Sequence, residues 1–207
     1  MATTRENKSI SNFKSALIGG GARPNLFEVE LTTLPGGIVW DAENFRFMAK
    51  AAALPAQNIA SIDVQFRGRI FKVAGDRTID TWTVTVINDE DFRIRNAFED
   101  WTQQIANLDT NIGATDPSAY MTNAKVFQLG RGTTKSSKDS NGTDNVVLKE
   151  YEFVDIFPTS VSAIDLSYDT GDTIEEFTVE FQVQSLNLAG AGSVSYTHLT
   201  LPTNREV

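Results

Sequence analysis

The chain has 207 residues, 41% of them hydrophobic, a formal net charge of −9 and no cysteine. That content is enough for one substantial core, the acidic balance argues against nucleic-acid binding, and the missing thiols exclude disulfides and cysteine chemistry. No apolar run approaches the length of a membrane-spanning helix, and Ala16 to Ile18 is too short for the core of a secretion signal.

Residues 1–21 are polar and end in three consecutive glycines, so they read as a flexible arm. Phe27, Val29 and Leu31 alternate as a first strand, Leu34-Pro35-Gly36-Gly37 supplies a turn, and Ile38 to Met48 is expected to return as a second strand in a hairpin with the first. Lys50 to Ala60 holds the small apolar run Ala51 to Pro55 and reads as a connection that packs Leu54 against an adjacent subunit. Ile62, Val64 and Phe66 alternate, Arg67-Gly68 suits a tight turn, and Ile70 to Val73 completes a hairpin carrying Arg67, Arg69 and Lys72. These three bases, with Leu54, are the candidate inter-subunit residues.

Thr81 to Ile87 sets Trp82, Val84 and Val86 on one face and Thr81, Thr83 and Thr85 on the other, as a half-buried strand requires. Asn88 and Asp89 break the alternation and are expected to cap a helix. In that helix Ile94, Phe98, Trp101 and Ile105 form one apolar stripe, with Asp91, Arg95, Glu99 and Asp100 turned away from it. Asn107 to Ser118 is rich in turn residues, Lys125 to Leu129 is a short strand, and Gly130 to Asn145 is a polar loop turning at Asn141-Gly142. Asp139, Asn141 and Glu150 superficially suggest a calcium loop, but Gly142 falls too early for one, and no metal or cofactor site is predicted.

Val146 to Ile156 and Val161 to Tyr168 read as strands separated by Phe157-Pro158-Thr159. In the last strand Phe177, Val179, Phe181 and Val183 alternate with Thr178, Glu180, Gln182 and Gln184. The fold expected is therefore mainly antiparallel β, a barrel or sandwich, with one amphipathic helix inserted. From Glu150 to Ser193 there are nine acids and no Lys or Arg, a distribution suited to a wall that repels phosphates. Glu150, Glu152, Glu176 and Glu180 are its best-placed members on alternating strand faces.

Three segments, Ala22 to Phe27 (ARPNLF), Ala74 to Asp89 (AGDRTIDTWTVTVIND) and Phe157 to Val161 (FPTSV), resemble in this order the tail tube proteins of contractile-tailed bacteriophages. The likeness spans Ala22 to about Leu186. The chain departs from shorter members in its extended N-terminus, the Gly36-Gly37 insertion and the loop after Gly130. The resemblance implies a non-enzymatic subunit that forms hexameric rings, stacked into a hollow tube inside a contractile sheath. Such a tube is part of the virion tail, assembled in the host bacterial cytoplasm with sheath, baseplate and tape measure proteins, and it passes DNA without binding it specifically. Edge strands of neighbouring subunits would pair into a closed inner barrel. On this basis Glu150, Glu152, Glu176 and Glu180 are assigned to the lumen, and Asp91, Glu99 and Asp100 on the helix to the sheath side. Asp76 and Arg77 are assigned to a turn or a subunit contact. The alternatives are the tube of a secretion or contractile injection system and, from another class, a glycan-binding β-sandwich presenting Trp40, Tyr151 and Tyr168.

Val194 to Thr203, VSYTHLTLPT, resembles translated read-through of a sequencing-library adapter, so residues 22–193 are taken as the main domain and 194–207 as a non-native tail. The chain's only histidine, His198, lies in that tail, which leaves no imidazole for a catalytic base or a zinc site. Sequencing the gene directly from phage DNA is expected to show a stop codon close to Ser193; recovery of the codons for VSYTHLTLPT in place would overturn this expectation.

Overall fold

A computed structural model describes residues 9–17, 21–133 and 145–190. The turn expected at Asn141-Gly142 and the adapter-like tail lie outside those residues. In chain order the elements are α1 (Ile10–Ala16), β1 (Phe27–Leu31), α2 (Ala42–Met48), β2 (Ala49–Ala53), β3 (Gln57–Phe66), β4 (Arg69–Ile79), β5 (Trp82–Ile87), α3 (Arg93–Ile105), β6 (Thr122–Thr133), β7 (Asn145–Val161) and β8 (Glu176–Gly190). Short 3-10 turns occupy Pro35–Gly37 and Pro117–Ala119. Among the described residues no helix is long and apolar enough to cross a membrane.

Six strands make one antiparallel sheet in the order β1, β6, β7, β8, β5, β2, while β3 and β4 pair only with each other. The sheet curls so that its edge strands β1 and β2 approach, with α2 lying along β1 and touching β2 and β5. The result is a nearly closed barrel. Strand β5 shows why: Trp82, Val84 and Val86 are fully buried and face Phe181, Val179 and Phe177 of β8 across the ladder, so both strands commit one face to the interior.

Helix α3 closes the barrel by burying Ile94, Ala97, Phe98 and Trp101. Phe98 sits at the centre of an aromatic cluster, with ring centroids 5.5 Å from Trp40, 5.9 Å from Phe45 and 5.8 Å from Phe181. Trp82 stacks on Phe153 at 4.5 Å and tilts against Phe181 at 5.1 Å, which carries the cluster across the sheet. The indole of Trp101 donates to the Tyr120 carbonyl at 2.8 Å, which satisfies the ring nitrogen buried along with the apolar stripe.

Four local expectations are corrected. Ile38 to Met48 is not a strand: Asp41 accepts from the Asn44 amide at 3.0 Å and starts α2, whose buried residue is Phe45, and β1 pairs with β6 instead. Asn88 and Asp89 do not cap α3, which begins after Phe92 in a left-handed conformation (φ 53°) without a side-chain cap. Asn88 instead donates to the Glu175 carboxylate at 2.7 Å, and Asp89 accepts from Asn44 at 3.2 Å, so the pair ties the end of β5 to its surroundings. Strand β7 runs unbroken through Pro158 to Val161 because the ladder with β8 shifts register between Pro158 and Ser160, placing the proline at an irregularity where no amide is needed. Residues 162–175, by contrast, form no strand.

Two further differences concern element identity. Lys50 to Ala60 is not a bare connection, since β2 pairs with β5 and β3 already begins at Gln57. The fold also has more helix than the single one expected: α2 packs on the barrel, and α1 lies within the segment read as an arm, with none of its residues buried. The Arg67-Gly68 turn is as expected, with both residues at positive φ (47° and 79°), the geometry of a two-residue hairpin loop.

Because Phe98 contacts α2, α3 and β8 together, Phe98→Ala is expected to cost about 3–5 kcal/mol of unfolding free energy. Urea denaturation monitored by tryptophan fluorescence checks this; a loss below about 1 kcal/mol would show that the cluster is not the keystone of the core.

Candidate functional site

The outward face of the barrel sheet gathers carboxylates from three strands. Val29 and Leu31 point inward on β1, which leaves Glu28 and Glu30 outside; Phe153 points inward on β7, which leaves Glu150 and Glu152 outside. On β8 the buried set Phe177, Val179, Phe181 and Val183 leaves Glu176 and Glu180 outside. The four glutamates singled out from the sequence therefore share one face, joined by Glu28 and Glu30. Those two were legible in the alternation of β1, but only the β1–β6–β7 pairing brings them to the same surface.

The face is not purely acidic. Lys125 of β6 stands opposite Glu30 on one side and Glu152 on the other, and its ammonium contacts the Glu150 carboxylate at 2.8 Å. Lys50 of β2 pairs with Glu176, Arg46 of α2 with Glu28 at 3.3 Å, and Glu152 accepts from Asn187 at 3.2 Å. Glu180 is exposed, with no side-chain partner among the described residues. The Glu150 hydrogen bond and the charges of Glu150, Glu152 and Glu30 raise the Lys125 pKa above its ordinary value of 10.5.

On the opposite side of the core, α3 turns Glu99 and Asp100 to solvent, while Asp91, expected on the helix, is exposed in the turn that precedes it. Asp91 pairs with Arg93 at 2.7 Å, and Glu99 with Arg95 at 2.7 Å, one helical turn earlier. Arg95 does not point away from the core as expected. Its guanidinium lies 5.3 Å from the Phe177 ring centroid and donates to the Ser162 carbonyl at 3.2 Å, so its stem covers apolar surface.

The hairpin β3–β4 is the third surface. Every residue of β3 is exposed, and so are nearly all of β4. Register places Ile62 with Val73, Val64 with Phe71 and Phe66 with Arg69 on one face, against Asp63 with Lys72 and Gln65 with Ile70 on the other. One face is thus apolar and uncovered, with Phe66 at 63% and Phe71 at 65% relative exposure. Lys72 is paired with Asp63 at 3.4 Å, while Arg67 lies 5.4 Å from the Phe66 ring and neither Arg67 nor Arg69 has an acidic partner among the described residues. Leu54, in the link from β2 to the hairpin, is 42% exposed. Sequence reasoning marked the bases here and missed the apolar face, although the alternation of Ile62, Val64 and Phe66 carried it. Asp76 and Arg77 lie within β4, not in a turn, beside a register shift between Ile59 and Ser61. Gly75 stands at that shift, where a Cβ would come within 3.0 Å of Ile62, and Arg77 donates to Gln57.

A barrel with a projecting hairpin that its own core leaves bare is a subunit built to be completed by others, and comparison with known proteins agrees. Residues 22–188 match the phage tail tube protein family, and the chain belongs to it. It is 38% identical over 161 residues to the tail tube protein gp19 of Enterobacteria phage T4, covering 78% of this chain and 88% of that one, and matches the phage T6 protein to the same extent. Among solved structures, a chain of the anti-feeding prophage baseplate shares the fold with a TM-score of 0.59 at 10% identity (84% of this chain, 98% of that one). A chain of the extracellular contractile injection system PVC sheath–tube complex does so at 0.52 and 13% identity (89% and 99%).

The raised pKa of Lys125 means that its stabilisation is fully present below 10.5 and is lost as pH rises through the higher folded value. NMR titration of the Lys125 side chain is expected to give a midpoint above the ordinary lysine value, falling back toward it in Glu150→Gln; an unchanged midpoint would remove Glu150 as the main cause.

Proposed function

We propose that this chain is a structural subunit of a phage tail tube that closes hexameric rings, stacks them into a hollow conduit and passes DNA along it during ejection. The observation that carries the proposal is the hairpin β3–β4, whose apolar face has no cover within the chain. An exposed apolar patch of this kind marks a contact with another macromolecule, and membership of a tube-forming family makes a second copy the simplest occupant. Heterologous contacts that close give rings, and those that do not close give stacks. The anti-feeding prophage baseplate, which carries a chain of the same fold, was solved with six-fold symmetrisation, which supports six copies per ring.

Within such a ring, the glutamate-bearing sheet face is assigned to the lumen, and the α3 edge with Glu99 and Asp100, together with Asp91 in the turn before it, to the sheath. The two lie on opposite sides of the core, as an inner and an outer wall require. Lys50 and Lys125 each pair with a glutamate, so the surplus of carboxylates remains and repels phosphate within the screening length of about 8–10 Å. The lumen then acts by repulsion and needs no reaction, which is why no catalytic role is assigned. Partners are further copies, the sheath, the baseplate and the tape measure protein, in a virion tail assembled in the host cytoplasm. The much higher identity to the phage tube protein than to the injection-system chains favours a genome over a protein cargo.

Negative-stain electron microscopy of the purified chain over increasing concentration is expected to show six-fold rings or hollow tubes, and dispersed monomers at every concentration, with or without a baseplate, would refute the assembly reading. Replacing Glu150, Glu152, Glu176 and Glu180 by Gln in the phage is expected to leave tube assembly intact and slow genome release. An unchanged release rate would move these residues out of the lumen.

A further inference from the structure

We infer that Asp155, with Asn123, is the corner at which the barrel sheet changes phase, and that these two positioning residues bring the glutamates of β1 and β7 to the same face as those of β8. The consequence for a conduit rests on the lumen reading above; the corner itself does not. Paired strands that run without interruption keep every second side chain on one face. Strands β7 and β8 break that rule together. Between the paired positions Phe153–Leu186 and Ile156–Val183 each strand advances three residues, yet Phe153, Ile156 and Val183 are buried and Leu186 packs against the core. An odd step with both ends inward requires each strand to leave the pleat once. On β7 the departure is at Asp155, held at φ 55°, and on β8 the adjacent Gln184 and Ser185 are both exposed. Strand β6 advances only two residues over the same interval, from Thr122 to Ala124, so β7 bulges against it.

The amide that Asp155 withdraws from the ladder donates instead to Asn123 Oδ1 at 3.0 Å. Asn123 precedes the buried Ala124 and so faces outward, as does Lys125 just beyond it. One outward row of β6 thus supplies both the acceptor that closes the corner and the ammonium that meets Glu150 at 2.8 Å. Aspartate suits its place, since Asp and Asn enter the left-handed region far more readily than branched side chains. The corner divides the sheet into two halves. One holds β1, β6, the first part of β7 and the last part of β8, with Glu28, Glu30, Glu150 and Glu152; the other holds the rest of β7 and β8 with β5 and β2, and with Glu176 and Glu180. Trp82, Phe177 and Phe181 pin the second half in the aromatic core. Continued straight from that pinned half, β7 would turn Glu150 and Glu152 inward and Tyr151 and Phe153 to solvent. Strands β6 and β1, paired in register with it, would carry Glu28 and Glu30 inward as well. Only Glu176 and Glu180 would remain on the outward face.

Substitution at position 155 of the full chain tests this. Asp155→Gly and Asp155→Asn accept the left-handed backbone and are expected to keep the parent arrangement, whereas the β-branched side chain of Asp155→Val is strained there and is expected to lose it. Because the chain has no native cysteine, Glu152→Cys gives a single thiol for maleimide labelling in each background. Labelling is expected to be fast in the parent, glycine and asparagine chains and about tenfold slower or more in the valine chain, where Tyr151→Cys becomes the faster site. A folded valine chain that labels as the parent does overturns the proposal. Should that chain fail to fold, amide exchange decides: the Asp155 amide is expected to be protected in the parent and to exchange about tenfold faster in Asn123→Ala. An Asp155 amide that exchanges at the rate of an open loop in the parent, or equally in both chains, overturns the corner. Genome release from phage carrying Asp155→Val separates the two readings. Slower release supports both, while altered labelling with unchanged release leaves the corner in place and removes the lumen assignment.

Discussion

The packing around Phe98 holds this protein together by bringing into one cluster three parts of the chain that are distant in sequence. Trp40 and Phe45 arrive with α2, Phe98 and Trp101 with α3, and Phe177 and Phe181 with β8. A curled sheet of six strands has a hollow that must be filled at interior density, and aromatic rings meeting edge to face at 5–6.5 Å fill it with few rotamers to fix. Once that plug is seated, β5 and β8 cannot slip in register, since a shift of one residue would turn Trp82 and Phe181 to water. Every surface described above takes its position from that constraint.

The outward sheet face illustrates this. Its glutamates are ordinary solvent-side residues of amphipathic strands, and each alone would be unremarkable. They become a surface because the register fixed by the core sets β1, β7 and β8 in one curved layer, with Lys125 held among three carboxylates. The lysine is a product of strand order. It lies on β6, far in sequence from the acids it serves, and no local pattern announces that pairing.

Much of the architecture was legible because burial and periodicity coincide. Strands β5 and β8 and helix α3 each expose one regular stripe in sequence, and each buries that stripe in the structure. The Arg67-Gly68 turn was legible for a different reason, since glycine next to alternating apolar residues signals a tight hairpin. Failures arose where tertiary context outweighed local pattern. Ile38 to Met48 contains enough β-branched and aromatic residues to pass for a strand, yet Asp41 can cap a helix and Phe45 finds its place against Phe98 only as part of one. Strand β7 was divided at its proline because a β-bulge is invisible without the partner strand; the same cause hides the shift at Asp155 (φ 55°), which lets both Phe153 and Ile156 face inward. Of the candidate site, the shared face of the four glutamates could be read from alternation. Their cationic partners and the helix-side role of Arg95 could not, because both depend on contacts between distant segments.

The hairpin's isolation from the core has a thermodynamic corollary. A two-stranded ribbon in water is marginally stable by itself, and among the described residues the main contact of this one with the barrel is between β4 and β8. Its folding is thus nearly uncoupled from that of the barrel: the ribbon can open and reclose at small free-energy cost while the aromatic plug stays intact. Substitutions along it therefore act on the barrel's stability only weakly and mainly through whatever the ribbon touches. A barrel fixed by its interior can in this way carry an edge whose chemistry is set separately, so that subunits with the same architecture could sort themselves from one another without any change to the scaffold.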